Sequence, residues 1–216
     1  MPQIFHRSTN LVARASLLGG GVVAAGLLAY LAVVARSPLE TGVNQPVPQP
    51  VDFSHRHHVG EAGFDCRYCH ATAGVSTFAG MPSSSTCMQC HSQIWAESPK
   101  LSLVRQSVAS GVPIAWNRVN DLPDFTYFDH RAHVSNGIGC ETCHGRVDRM
   151  SGIWQAAPLS MSWCLDCHRD PAAYVRPLEA VYDMGYQPPE PQAALGARLV
   201  AEYAIESLTD CTICHR

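Results

Sequence analysis

All ten cysteines of this 216-residue chain fall in one pattern. It is Cys66-Arg67-Tyr68-Cys69-His70, then Cys87-Met88-Gln89-Cys90-His91, Cys140-Glu141-Thr142-Cys143-His144, Cys164-Leu165-Asp166-Cys167-His168 and Cys211-Thr212-Ile213-Cys214-His215. Each is a C-x-x-C-H box, the attachment signature of a c-type haem. Two thiols on one tight turn reach the two vinyl groups of one porphyrin, and the following His faces the iron from the proximal side. A single box could also be half a zinc site or a redox dithiol. Five boxes that leave no cysteine over, each with His directly after the second Cys, point instead to five haem c groups. Cys66, Cys69, Cys87, Cys90, Cys140, Cys143, Cys164, Cys167, Cys211 and Cys214 would form the thioethers. His70, His91, His144, His168 and His215 would be the proximal iron ligands.

An internal repeat supplies the other side of the irons. Phe53-Ser54-His55-Arg56-His57-His58-Val59 precedes the first box, and Phe128-Asp129-His130-Arg131-Ala132-His133-Val134 precedes the third. Both read F-[S/D]-H-R-x-H-V, and each introduces two boxes. Histidines at i and i+3 lie on one face of a helical turn, where each can serve one of two neighbouring haems. His55, His58, His130 and His133 are therefore the expected distal ligands. His57 is a weaker choice, because Ala132 stands at the equivalent place. Four His leave one of five irons short, and Met is the natural remaining ligand. Met81, Met150, Met161 and Met184 are available; Met161, just before the fourth box, is the first choice and Met81 the second.

Stepping from these residues to the segments that carry them gives six stretches. Residues 1–36 form a cytoplasmic tip and a transmembrane helix. The 21 residues 15–35 have no charge, enough at about 1.5 Å each to cross a hydrocarbon core of about 30 Å. A cleaved signal peptide ending Val33-Val34-Ala35 is the alternative, but the run exceeds the usual apolar region of about 7–15 residues. Arg7 and Arg14 before the helix favour a cytoplasmic N-terminus, and haem attachment belongs outside the cytoplasm, where this cysteine chemistry is tolerated. That places the haem domain in the periplasm, anchored by a single pass in the inner membrane, and excludes His6 as a ligand. Gly19-Gly20-Gly21 reads as a face for close approach of another subunit's helix. Residues 37–52, with Pro46, Pro48 and Pro50, read as an extended semi-rigid linker. Dihaem modules occupy 53–98 and 128–172, separated by a connector at 99–127 with a short helix near 100–109. Trp116 in that connector reads as either a haem-edge shield or a hydrophobic plug. Residues 173–216 hold a linker, a helix with Leu195, Leu199, Tyr203 and Ile205 on one stripe, and the fifth box.

The expected fold is a mostly irregular and α-helical multihaem cytochrome c, with a loop-rich domain of short helices packed around five haems. Gly 16 and Pro 15 suit that loop content. The net charge is −3, and because the first 36 residues hold Arg7, Arg14 and Arg36 and no acid, the remainder is more acidic still. No basic stripe is available for nucleic acid, and an acidic exterior would steer a basic redox partner. A nitrite- or hydroxylamine-reducing enzyme needs an open iron site. The ligand count can close all five, so the chain reads as an electron wire without catalytic residues of its own.

One transmembrane helix followed by five boxes, with FSHRHH, PDFTYFDHRAHVSNGIGCETCHG and LSMSWCLDCHRDP, resembles the pentahaem cytochrome c subunit of bacterial alternative complex III, a quinol:electron-acceptor oxidoreductase. The resemblance runs over nearly the whole chain and is most specific at 111–171. It implies partners: an iron–sulfur protein, multi-helix quinol-binding membrane subunits and a monohaem cytochrome c. It implies electron flow from quinol to a periplasmic cytochrome or oxidase in a respiratory or photosynthetic chain. A membrane-anchored quinol dehydrogenase cytochrome feeding a soluble periplasmic reductase is the alternative.

Overall fold

Residues 4–215 are described by the computed structural model. They fall into two units, Met1–Gly42 and Val43–Arg216.

The first unit is one long helix and a short one. α1, Ser8–Val34, runs 27 residues, begins seven residues before the uncharged stretch and takes in Arg14. Polar Ser8, Thr9 and Asn10 form its first turn, and the Leu-, Val- and Ala-rich residues 11–34 carry the helix on from them. Its most apolar window has a mean hydropathy of 2.2, and none of that window is buried inside the protein. At about 1.5 Å per residue the helix is ample for a hydrocarbon core of about 30 Å. The Arg36 guanidinium donates to Ala32 O at 3.0 Å and so satisfies one of the carbonyls left open at the C-terminal end. A side chain added at Gly19, Gly20 or Gly21 would meet nothing. α2, Pro38–Thr41, follows at once, with Pro38 at its first position, where a missing N–H costs no hydrogen bond.

The second unit begins inside the stretch expected to be a linker. Asn44 N donates to Gln155 O at 2.8 Å and Val47 N to Ile153 O at 2.9 Å. Gln49 and Asn117 exchange side-chain-to-backbone bonds of 2.9 and 3.0 Å, and Val51 is buried. The prolines do hold this strap extended. The residues between them keep free N–H and C=O groups, and these pair with the body of the unit instead of with water.

Thereafter the chain is short helices separated by loops. They are a π-turn at Arg56–Glu61, α3 at Cys66–Cys69, α4 at Ser84–His91, α5 at Ser102–Ser110, α6 at His130–Ser135, α7 at Cys140–His144, α8 at Met161–Arg169, α9 at Gln192–Glu202 and α10 at Cys211–Cys214. Among the described residues there is no strand, only isolated bridges such as Thr126 with His215 and Ile138 with Val175. The helix-rich, loop-rich architecture matches the expected class.

Two small apolar clusters stand in for a core. Val51, Leu101 and Val104 are buried together, with Cys87, Met88, Ile114 and Trp116 packed around them. Trp116 is thus part of a hydrophobic plug against the second box. Val175, Leu195 and Leu199 form the other cluster, flanked by Ile138, Val200, Tyr203 and Ile205. This is the stripe read on α9. That helix also lies so close to the turn at Pro171–Ala173 that a Cβ on Gly196 would sit 1.8 Å from Ala172 O, so only glycine fits there. Neither cluster is large enough to bury a chain of this length. Met150, Val181 and a few alanines are buried outside them, and the box cysteines and histidines are only partly covered.

Candidate haem sites

Every box begins or ends a short helix. α3, α7 and α10 are the boxes themselves, while α4 ends in the second and α8 carries the fourth. Three starts are capped by side chains. Asp65 accepts from Arg67 N, Ser160 from Trp163 N and Asp210 from Thr212 N. Such caps satisfy donors that a one-turn helix cannot satisfy internally. The turn then closes onto the histidine, with His70 N donating to Cys66 O at 2.8 Å and His215 N to Cys211 O at 2.9 Å. Both sulfurs of a box therefore lie on one face, with the imidazole just beyond.

The four repeat histidines face four of the box histidines. The ring centroids of His55 and His70 are 6.5 Å apart, those of His58 and His91 6.2 Å, those of His130 and His144 6.3 Å and those of His133 and His168 6.1 Å. An imidazole nitrogen binds a transition metal at about 2.0 Å. Two imidazoles on opposite sides of one iron then have their centroids about 6 Å apart, so the gaps fit a single iron each. The orientations repeat between the modules. His55/His70 and His130/His144 are nearly coplanar, at 9° and 6°. His58/His91 and His133/His168 are crossed, at 66° and 70°.

Hydrogen bonds hold the rings by Nδ1 and leave Nε2 for the iron. The acceptors are backbone carbonyls: Ser54 for His58, Gly80 for His70, Ile94 for His91, Thr77 for His130, Asp129 for His133 and Phe125 for His215. Such an outer bond sets the tautomer and orientation of a metal-bound imidazole. Burial, then the neighbouring His70, His58 and His144, pull His55 down to about 4. Burial, then His130 and His70, do the same to His144, and burial lowers His133. These rings are neutral at pH 7, which is the ligating form.

Neighbouring boxes approach one another through their cysteines. Cys69 lies within electrostatic reach of Cys87. The Cys140 thiol donates to Cys66, which lowers the Cys66 pKa and raises that of Cys140. Cys143 feels Cys167 and Cys164, and Cys164 feels Cys214. These approaches link the boxes in the order second, first, third, fourth, fifth. Burial pushes the Cys143 thiol up to about 12 and the Cys167 thiol to about 11. Among the described residues no three His, Cys, Asp or Glu side chains cluster as a metal site of their own.

The profile of the family described as "cytochrome c7 and related cytochrome c" matches residues 51–105 and 126–216. This chain belongs to that family. It is a multihaem electron-transfer cytochrome with covalently bound c-type haem. Over 102 residues it is 38% identical to the multihaem cytochrome c subunit of menaquinone reductase from Nitratidesulfovibrio vulgaris (strain Hildenborough). That stretch is 47% of this chain and 48% of the relative, so the match spans about half the length of that curated protein.

Other predicted residues sit differently. His57 stacks on Trp95 at 6.0 Å and pairs with Glu61 at 3.0 Å, turned away from the box histidines. Across from His215 the ring in contact is Phe125, at 5.8 Å. Met161 and Met81 are exposed side chains, and Met150 is buried. Met184 lines a surface pocket with Cys66 and Tyr182.

Two sets of supporting residues went unread in the sequence. Phe53 stacks on His58 at 4.4 Å and meets His55 edge-on at 4.9 Å. Phe128 stacks on His133 at 4.5 Å and meets His130 edge-on at 4.7 Å. The signal was the Phe that opens both copies of the repeat. The second set is Glu141 and Arg176. Arg176, 7% exposed, donates to Glu141 Oε1 at 3.0 Å and to Asp183 O at 3.2 Å, and it lies over the Tyr186 ring. Glu141 also accepts from Gly185 N. An acid inside a box was the available hint; its partner 35 residues away was not.

Proposed function

We propose that this chain is the five-haem electron-transfer subunit of a membrane quinol:acceptor oxidoreductase of the alternative complex III kind. The observation that carries the wire is the approach of neighbouring boxes together with the four opposed histidine pairs. The ligand pairs are His55 with His70, His58 with His91, His130 with His144 and His133 with His168, with Met161 completing the iron of His215. Each haem would supply a one-electron iron couple. The protein's part would be to hold an imidazole on each side of four of them and His215 with Met161 at the fifth, which would leave no position for a substrate. α1 anchors the chain as a single pass with its N-terminus in the cytoplasm, and the two dihaem modules at 53–98 and 128–172 lie in the periplasm. Partners are an iron–sulfur protein, multi-helix quinol-binding subunits and a monohaem cytochrome c, with a periplasmic acceptor beyond them. Their support is the resemblance in FSHRHH, the 111–171 stretch and the boxes.

A second reading has one observation in its favour. The relative from N. vulgaris is named for reducing menaquinone, which runs electrons toward the quinone pool. The experiment is to purify the complex from membranes, count haem per chain and mix it with quinol. Five low-spin haems that are reduced promptly by quinol are expected. A high-spin fraction in the resting protein would break the wire reading. Haems that ignore quinol but pass electrons from a reduced periplasmic donor to menaquinone would establish the reverse direction.

A further inference from the structure

We propose that Asn120 is a positioning residue for the proximal histidine of the third box, and that it sets the potential of that haem apart from the rest. The proposal rests on the reading of the third box as a haem site. His144 differs from the other box and repeat histidines whose Nδ1 bonds are described above. Its Nδ1 meets a side chain, the Asn120 amide nitrogen, at 3.1 Å, where those of His58, His70, His91, His130, His133 and His215 meet backbone carbonyls. In the first module the equivalent bond from His70 goes to Gly80 O, so the difference breaks the symmetry between the modules.

The orientation of that amide carries the inference. With iron on Nε2, Nδ1 keeps its hydrogen and must donate. As placed, two donors face each other, while Asn120 Oδ1 is buried without a partner. A half-turn of the amide exchanges its oxygen and nitrogen and removes the meeting of two donors at His144. Oδ1 then accepts from His144 Nδ1–H and gains the partner it lacked, while the amide NH2 takes its former place. Such a bond raises the basicity of the ligand and tunes the metal it binds. Asn120 belongs to the connector at 99–127, in the part of it, 106–125, that lies between the two stretches matched by the family profile. The residue is therefore supplied by a part of the chain outside the shared haem-binding pattern.

The test is a spectroscopic redox titration of the purified holoprotein and of two variants, N120D and N120L. In N120D an isosteric carboxylate is a stronger acceptor, stabilises the ferric state and moves one component of the titration to lower potential. In N120L the acceptor is gone and the same component moves to higher potential, while the others stay. Both variants titrating like the parent, or both moving in the same direction, would overturn the proposal. Should N120L fail to accumulate, N120D decides by itself, because it preserves the shape of the side chain. Mass spectrometry of the parent separates the two layers. A third box without haem sinks the haem reading, whereas a loaded third box with an unmoved potential sinks only the role of Asn120.

Discussion

Phe53 and Phe128 each stand between two histidines that face different boxes. One ring face packs on His58 or His133, and the Phe edge meets His55 or His130. Aromatic pairs of this geometry are worth about 0.5–1.5 kcal/mol beyond their buried area, which is enough to fix the angle of an imidazole. The angle has an electronic consequence. Coplanar imidazoles split the iron d orbitals that point between the ligands, and crossed imidazoles leave them nearly degenerate. The paired histidines therefore predict two classes of low-spin electron paramagnetic resonance signal, one rhombic and one highly anisotropic. F128A should disturb one signal of each class and F53A the other of each class. Unchanged spectra in both variants would leave the phenylalanines as mere filling.

Glu141 belongs to the scale of elements, because it ties α7 to a distant loop. Its carboxylate receives Arg176 and Gly185 N, and Arg176 N in turn donates to Gly137 O at 2.8 Å, just before the third box. A Cβ on Gly139 would lie 2.2 Å from the Arg176 guanidinium carbon, so the arginine fills the space that the glycine leaves. The ion pair is well buried, at 9% and 16% side-chain exposure. Removing one partner of such a pair strands the other charge and costs about 3–5 kcal/mol. E141L should lose about that much in denaturant unfolding of the holoprotein. R176M with E141L together should recover part of it, since a paired removal leaves no orphan charge. The element scale also explains the strap at 43–52. Its prolines were legible as an extended segment, but its pairing with 153–155 depends on carbonyls more than a hundred residues away.

Across the whole molecule, the thin apolar clusters and the neighbouring boxes describe a protein whose interior is completed by covalently attached cofactor. That arrangement suits electron transfer in a chain of this size. α1 is the remaining large feature. Its 27 residues exceed what a signal peptide's apolar region needs, and no residue of the helix is buried within the protein. Mass analysis of the protein purified from membranes should therefore find peptides from within residues 8–34, and alkaline carbonate washing should leave the chain in the pellet. A mature chain starting after Ala35 would identify the segment as a cleaved leader.

Taken alone, the sequence determined the chemistry. C-x-x-C-H five times over fixes thiol spacing through the local geometry of a single helical turn, and the F-[S/D]-H-R-x-H-V repeat is legible because a duplicated local pattern survives without any long-range information. The apolar run and the α9 stripe were legible for the same reason, since helical periodicity is local. Tertiary structure decided everything that joins distant residues. It set which repeat histidine faces which box, the contact between the first and third boxes through Cys66 and Cys140, and the Glu141–Arg176 pair. It also brought Asn120 to His144, a residue in an irregular connector with no periodicity to announce it. Contacts of that kind depend on how loops return across the fold, and no spacing along the chain encodes them.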